Sequence, residues 1–142
     1  MLTTPLIHPP LLSALARNGH GAKVLITDGN YPVATGAPAA AERIHLNLRP
    51  GLLTVTQILE TLVEVLPVER AEIMLDETGE ERPAVAEYRQ LLPRVEVEGH
   101  ERFAFYDASR GADVAVVIAS GDERQYANLL LTIGVRVPGS AG

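Results

Sequence analysis

The run Val114-Ala-Val-Val-Ile-Ala119 limits the folds open to this chain more than any other stretch. Its residues are apolar and mostly β-branched, and it is too short to be an amphipathic surface helix, so it reads as a buried strand. A Gly-containing polar turn follows, Ser120-Gly-Asp-Glu-Arg124, and then Tyr126 and Asn128 two residues apart. Buried strands that deliver polar side chains at their ends commonly build a binding site there. Near the N-terminus a second short run, Lys23-Val-Leu-Ile-Thr27, lies between Asn18-Gly-His-Gly21 and Asp28-Gly-Asn-Tyr-Pro32. Its content suggests burial on both faces. The expectation is that these polar strand ends, N-terminal and C-terminal, meet in one pocket.

Between those strands the chain alternates between periods of 3.6 and 2. Pro9-Pro10 suits a helix entry; Leu11, Leu12, Leu15 and Ala16 keep helical spacing, and Asn18-Gly19 ends it. His20 therefore falls in a tight loop between a helix and a strand. Residues 29–41, rich in Gly, Pro and Ala, read as a loop. A strand is expected over Ile44–Leu48, and an amphipathic helix over Leu53–Leu66 with Thr54 as N-cap. Further strands are expected over Glu69–Leu75 and Val95–Glu98, with helices over Pro83–Leu92 and Glu101–Arg110. The chain closes with strands over Leu129–Ile133 and Val135–Val137, broken or bulged near Gly134, and a frayed tail over residues 138–142. Strands alternating with helices predict an α/β layered sheet, and no linker or internal repeat divides residues 1–142, so one domain is expected.

Composition removes several function classes. Twelve basic residues stand against 18 acidic ones, with no basic patch, which disfavours nucleic acid or an anionic membrane as partner. There is no cysteine, hence no thiolate metal site and no Cys nucleophile. His8, His45 and His100 lack metal-ligand spacing, so no metal is expected. No apolar run approaches the ~20 residues of a membrane span, and Met1–Leu12 does not read as a signal peptide, so the chain reads as cytoplasmic. No glycine-rich loop follows a strand in the manner of a phosphate site, which disfavours a nucleotide-binding domain.

Four motifs in order carry a family resemblance: Leu15-Ala-Arg-Asn-Gly-His-Gly21, Thr27-Asp-Gly-Asn-Tyr-Pro32, Arg102-Phe-Ala-Phe-Tyr106 and Gly121-Asp-Glu-Arg-Gln-Tyr-Ala-Asn-Leu-Leu130. Together they resemble the D-ribose pyranase and L-fucose mutarotase (RbsD/FucU) family nearly end to end, and the Arg-Phe-Ala-Phe-Tyr block is closer to the fucose mutarotase branch. The resemblance implies a three-layer α/β/α domain with a mixed, mostly parallel sheet. It implies an isomerase that interconverts anomers of a free monosaccharide, L-fucose or a related sugar, without a cofactor. It makes His20 the catalytic acid/base; by the chemistry, Tyr126, Asp28 or a water is the candidate for a second acid/base group. Asp28, Arg102, Tyr126 and Asn128, with the Ala127 backbone, become the substrate contacts. It also implies a ring-like homo-oligomer, a decamer or octamer, with active sites near subunit interfaces.

The chemistry agrees with those residue types. Anomer exchange requires the ring oxygen to gain a proton and the anomeric hydroxyl to lose one, and a His near neutral pKa suits both directions. Asp28, Asn128 and Arg102 are donors and acceptors for sugar hydroxyls, and Tyr126 offers a ring face and a hydroxyl. Taken singly, the same residues read as a loop or capping His, a turn Asp, a solvated Arg and strand-edge residues; Glu123 and Arg124 read as a solvated turn or an intersubunit ion pair. Two rival functions remain: D-ribose pyranase on the same scaffold, and a non-catalytic monosaccharide-binding protein.

Overall fold

The computed structural model describes residues 1–139. Local capping sets where its helices begin. In α1 (Pro9–Ala16) the prolines occupy the first turn, where their missing N–H costs nothing, and His8 Nδ1 accepts from the Leu11 N–H at 3.2 Å. α2 (Val55–Leu62) starts with a reciprocal capping box: Thr54 Oγ1 accepts from the Gln57 N–H, and the Gln57 side chain accepts from the Thr54 N–H. α3 (Pro83–Leu91) again opens on proline, and Glu101 caps α4 (Arg102–Ser109) by accepting from the Ala104 N–H at 2.7 Å.

The strands are β1 (Lys23–Thr27), β2 (Glu42–His45), β3 (Val68–Met74), β4 (Glu96–His100), β5 (Val114–Ala119) and β6 (Leu129–Ile133). They form one sheet in the order β2-β5-β1-β6-β3-β4. β6 runs antiparallel to both neighbours, and the other pairs are parallel. Side-chain alternation then splits the apolar residues into two layers. Val24, Ile26, Ile73, Val116, Ile118, Leu129 and Leu131 pack with α1, α2 and α3 on one face. On the other, Leu25, Met74, Val117 and Leu130 pack with Phe105 of α4 and with Tyr31, Ala37 and Ala41 of the long loop. This is the three-layer, mixed but mostly parallel architecture that the resemblance implied.

Several boundaries differ from the sequence expectation, and each difference has a partner as its cause. β2 covers Glu42–His45 rather than 44–48, because β5 ends at Ala119 and the Leu46 N–H makes the last bond to its carbonyl. α2 stops at Leu62, where the following N–H groups turn to carbonyls three residues back (Glu64 to Thr61, Val65 to Leu62). Leu53 is held outside the helix by bonds to Leu46 and Gly121. Val135–Val137 is not a strand: the sheet ends at Ile133, the Gly134 N–H bonds the Pro67 carbonyl at 2.7 Å, and Val135 and Val137 are exposed. Of the tail expected to fray, residues 140–142 lie outside the described residues.

One consequence positions the site. The carboxyl ends of the parallel strands β1, β3, β4 and β5 and the amino end of β6 share one sheet edge, since β6 runs the other way. Asp28 follows β1, Arg102 follows β4 and Asn128 precedes β6, so all three arrive at that edge.

Candidate active site

The side chains of Asn128 and Asp28 themselves knit the strand ends together by accepting from backbone N–H groups. The Asp28 N–H donates to Asn128 Oδ1 at 2.7 Å, joining the exit of β1 to the entry of β6. With its oxygen so engaged, the Asn128 amide keeps Nδ2 as a donor. The Asn30 N–H donates to Asp28 Oδ1 at 3.0 Å, the Asx arrangement that lets the chain turn at Gly29. Asp28 is only 5% exposed. Burial pushes its carboxyl pKa up, against the opposing pull of the Asn30, Ala127 and Tyr31 N–H groups.

Around this pair lies a cleft of about 260 Å³. Asp28, Asn30 and Asn128 supply its polar wall; Tyr31, Tyr106, Tyr126 and Met74 supply its apolar and aromatic surface; Arg102 and Gln125 stand beside them. It falls slightly below the range of about 300–1,000 Å³ usual for drug-sized ligands, so its scale is that of a small polar molecule. Tyr31 and Tyr106 meet at a 5.4 Å centroid distance with their planes tilted. The Tyr31 hydroxyl donates to the Gly36 carbonyl at 2.6 Å, and a Cβ on Gly36 would lie 2.6 Å from that ring, so glycine is what lets the loop close over it. The Arg102 guanidinium stands 5.6 Å from the Tyr106 centroid, and the nearby Tyr106 hydroxyl holds its pKa above the ordinary arginine value.

Tyr126 is unusual in its backbone. Its φ of 60° makes it the only described non-glycine residue with positive φ, and such strain persists where the surroundings enforce it. Here the Arg82 guanidinium lies 5.2 Å from its ring centroid. The nearby Glu77 carboxylate, with a smaller contribution from burial, raises the Tyr126 pKa.

The loop that carries Tyr126 is anchored by Asp122 and Arg124. The Asp122 carboxylate, 1% exposed, accepts from the Val55 N–H at 2.9 Å at the start of α2. Arg124 chelates it (Nε to Oδ1 3.0 Å, Nη2 to Oδ2 2.8 Å) and reaches Glu87 of α3 at 2.9 Å and Thr56 of α2 at 3.1 Å. Burial acts to raise the Asp122 pKa, but the guanidinium and the two N–H donors outweigh it and the pKa is lowered. Arg124 is thus an intrachain strut, where the sequence suggested a solvated turn or an intersubunit pair; Glu123 is exposed.

The sequence-expected residues do not all arrive here. Asp28, Arg102, Tyr126 and Asn128 line the one cleft. Ala127 is fully buried; its carbonyl accepts from Tyr88 Oη at 2.6 Å and its N–H serves the Asp28 carboxylate, so it braces the wall rather than lining it. His20 is the correction to the one-pocket expectation. It precedes β1 while Asp28 follows it, so the two stand at opposite edges of the sheet, the length of a five-residue strand apart. His20 is exposed and pairs with Glu69 at 3.1 Å. Tyr31 and Tyr106 fall inside the quoted motifs but carried no assigned role; Arg82, between β3 and α3, had no signal in the sequence.

Two neighbouring features need placing. A polar cleft of about 420 Å³ adjoins across Asn30, lined by Asn47, Arg49, Ser120 and Asp122 among others, but it holds none of the expected site residues. Glu72, Glu98 and His100 bring ligand atoms within 4.8 Å of one another on the sheet face. They are poorly suited to a cation, because Lys23 Nζ sits 3.2 Å from Glu72, Arg70 pairs with Glu98, and His100 Nε2 bonds Glu72 at 2.9 Å. No helix of the described residues is long and apolar enough to cross a membrane.

The pattern of the RbsD / FucU transport protein family matches residues 1–136. The chain belongs to the RbsD/FucU family. Fucose mutarotase of Bos taurus is 32% identical over 146 residues, covering 94% of this chain and 92% of the relative. D-ribose pyranase of Variovorax paradoxus (strain S110) is 33% identical over 139 residues, covering 95% and 98%. Among solved structures, the fucose mutarotase of Streptococcus pneumoniae in complex with L-fucose superposes with a TM-score of 0.80 at 26% identity, over 96% of this chain and all of that one.

Proposed function

We propose that this chain is a monosaccharide mutarotase, an isomerase that interconverts anomers of L-fucose or a related free sugar by acid/base-assisted ring opening and closure. The observation that carries the reading is the convergence of Asp28, Arg102, Tyr126 and Asn128 on one small cleft rich in hydroxyl-binding groups. Asp28 accepts, Asn128 Nδ2 and Arg102 donate, and the tyrosine rings cover the apolar face of a sugar. His20 supplies the acid/base. Since β1 separates it from Asp28 within one chain, a second copy brings it to the cleft, and the active site is composite. The same reading makes the enzyme a cytoplasmic, ring-like homo-oligomer, a decamer or octamer.

The test is anomer exchange by saturation-transfer NMR on L-fucose and D-ribose, with wild type, His20→Ala and Asp28→Asn. Both variants are expected to lose exchange, and co-assembled mixed rings to regain part of it, because some interfaces then join an intact His20 to an intact Asp28. Wild type that accelerates neither sugar defeats the reading in favour of a binding protein. Mixed rings as inactive as the parents defeat the composite site. D-ribose pyranase activity is the second reading, supported by the V. paradoxus relative, and exchange on D-ribose alone selects it.

A further inference from the structure

Arg43 does not line the cleft, yet it gathers the irregular chain that closes over it. Residues 33–41 are mostly Ala, Gly and Pro, and of their side chains only that of Thr35 can donate a hydrogen bond. Carbonyls turned inward there need donors from elsewhere. The Arg43 guanidinium supplies them. Its Nε donates to the Val33 carbonyl at 3.1 Å, and Nη1 donates to Pro38 at 2.7 Å and Ala41 at 2.9 Å. Nη2 donates to Ala37 at 3.1 Å and Ala34 at 3.4 Å. A guanidinium carries its N–H donors in a fixed planar fork, and here every nitrogen serves the same loop. The fork has a firm base, because β2 pairs in parallel with β5 and sets Arg43 opposite Val117, on the sheet face that the loop covers.

One bond carries that order into the cleft. Gly36 lies within the span that Arg43 grips, and its carbonyl accepts from the Tyr31 hydroxyl at 2.6 Å. Tyr31, 6% exposed, rests against Tyr106, and both rings line the cleft with Asp28 and Asn128. We propose that Arg43 is a positioning residue for the sugar site: it fixes the Gly36 carbonyl, and through it the tilt of Tyr31 and Tyr106 in the cleft wall. The inference rests on the reading of this cleft as the sugar site. Arg43 touches neither the sugar nor the acid/base groups, so its effect falls on how well the sugar fits and not on proton transfer. Lysine cannot take its place, since an ammonium is a single point with three donors.

The measurement is L-fucose affinity by calorimetry on the intact protein, with exchange kinetics beside it, or D-ribose where exchange selects that sugar. Arg43→Met is expected to raise Kd and KM by roughly threefold to tenfold, about the worth of one aromatic contact, with kcat nearly unchanged. Arg43→Lys, the milder change for folding, is expected to fall between Arg43→Met and wild type. Tyr31→Phe keeps the ring and cuts its bond to Gly36, so Arg43→Met is expected to add little in that background. Arg43→Met that binds as tightly as wild type overturns the inference. So does a loss that adds in full to that of Tyr31→Phe, or one confined to kcat. A wild type that binds L-fucose without exchanging it defeats the mutarotase reading, and the Kd comparison still decides the role of Arg43. A wild type that binds neither sugar defeats both.

Discussion

Replacing Arg124 by Met tests how the site-bearing loop is held. The substitution keeps an unbranched apolar stem and removes five charge-assisted or polar bonds: two to Asp122, two to Glu87 and one to Thr56. Asp122 keeps the Val55 and Arg124 backbone N–H donors, but its carboxylate, 1% exposed, loses its counter-charge. Stranding one partner of a fully buried pair costs about 3–5 kcal/mol. Here the Arg124 side chain is 35% exposed and Glu87 45%, so solvent screening trims the figure to about 2–3 kcal/mol. For a chain of this size that is about 8 °C in Tm, measured at fixed protein concentration because assembly also shifts Tm. The Asp122 pKa is lowered in the native fold, so its stabilisation is present above the ordinary carboxylate range and is lost as pH falls through the folded value. The gap between wild type and Arg124→Met is therefore widest near neutrality and closes in acid. The double variant Asp122→Asn/Arg124→Met is expected to be more stable than Arg124→Met alone at pH 7. A single variant within about 0.5 kcal/mol of wild type, the range of an ordinary surface change, refutes the reasoning. So does a double variant less stable than the single one.

Two further outcomes follow from close packing and buried charge. A Cβ on Gly121 would sit 2.3 Å from the Leu52 carbonyl oxygen and 2.4 Å from that of Arg49, so Gly121→Ala forces the backbone apart and is expected to cost about 3 kcal/mol in urea unfolding; a near-neutral result contradicts the packing at the end of β5. Burial works to raise the Glu72 pKa, but bonds from His100 and Lys23 prevail and lower it, so its contribution is present above the ordinary glutamate range and vanishes as pH falls through the folded value. Glu72→Gln is expected to cost about 2 kcal/mol at pH 7 and nothing in strong acid, and a pH-independent difference would falsify this sign.

The sequence was most legible where a segment's own residues decide its state. β5 runs from Val114 to Ala119 as read, because six apolar residues between polar turns have nowhere to go but a buried strand. It was least legible where a partner decides. β2 ends where its neighbour ends, and Val135–Val137 has strand-like residues beyond the end of the sheet. The site divides the same way. Asp28 and Asn128 were findable as polar residues flanking buried strands. The separation of His20 from them was also present in the sequence, since residues before and after one strand must stand at opposite ends of it. Motif order alone conceals that. Arg82 was invisible, because its place beside the Tyr126 ring comes from a loop 44 positions further along the chain.

The placement of β6 governs how the protein can come into being. The last strand in sequence lies third from one edge of the sheet, between β1 and β3, and all five of its residues are buried. Until Leu129–Ile133 has left the ribosome, the β2-β5-β1 half and the β3-β4 half have no shared hydrogen-bond ladder and each presents a raw apolar edge. A nascent chain therefore holds two half-sheets prone to wrong pairing, and the joining step has long sequence separations on one side. Synthesis paused just short of that strand is the moment when this protein most needs a chaperone.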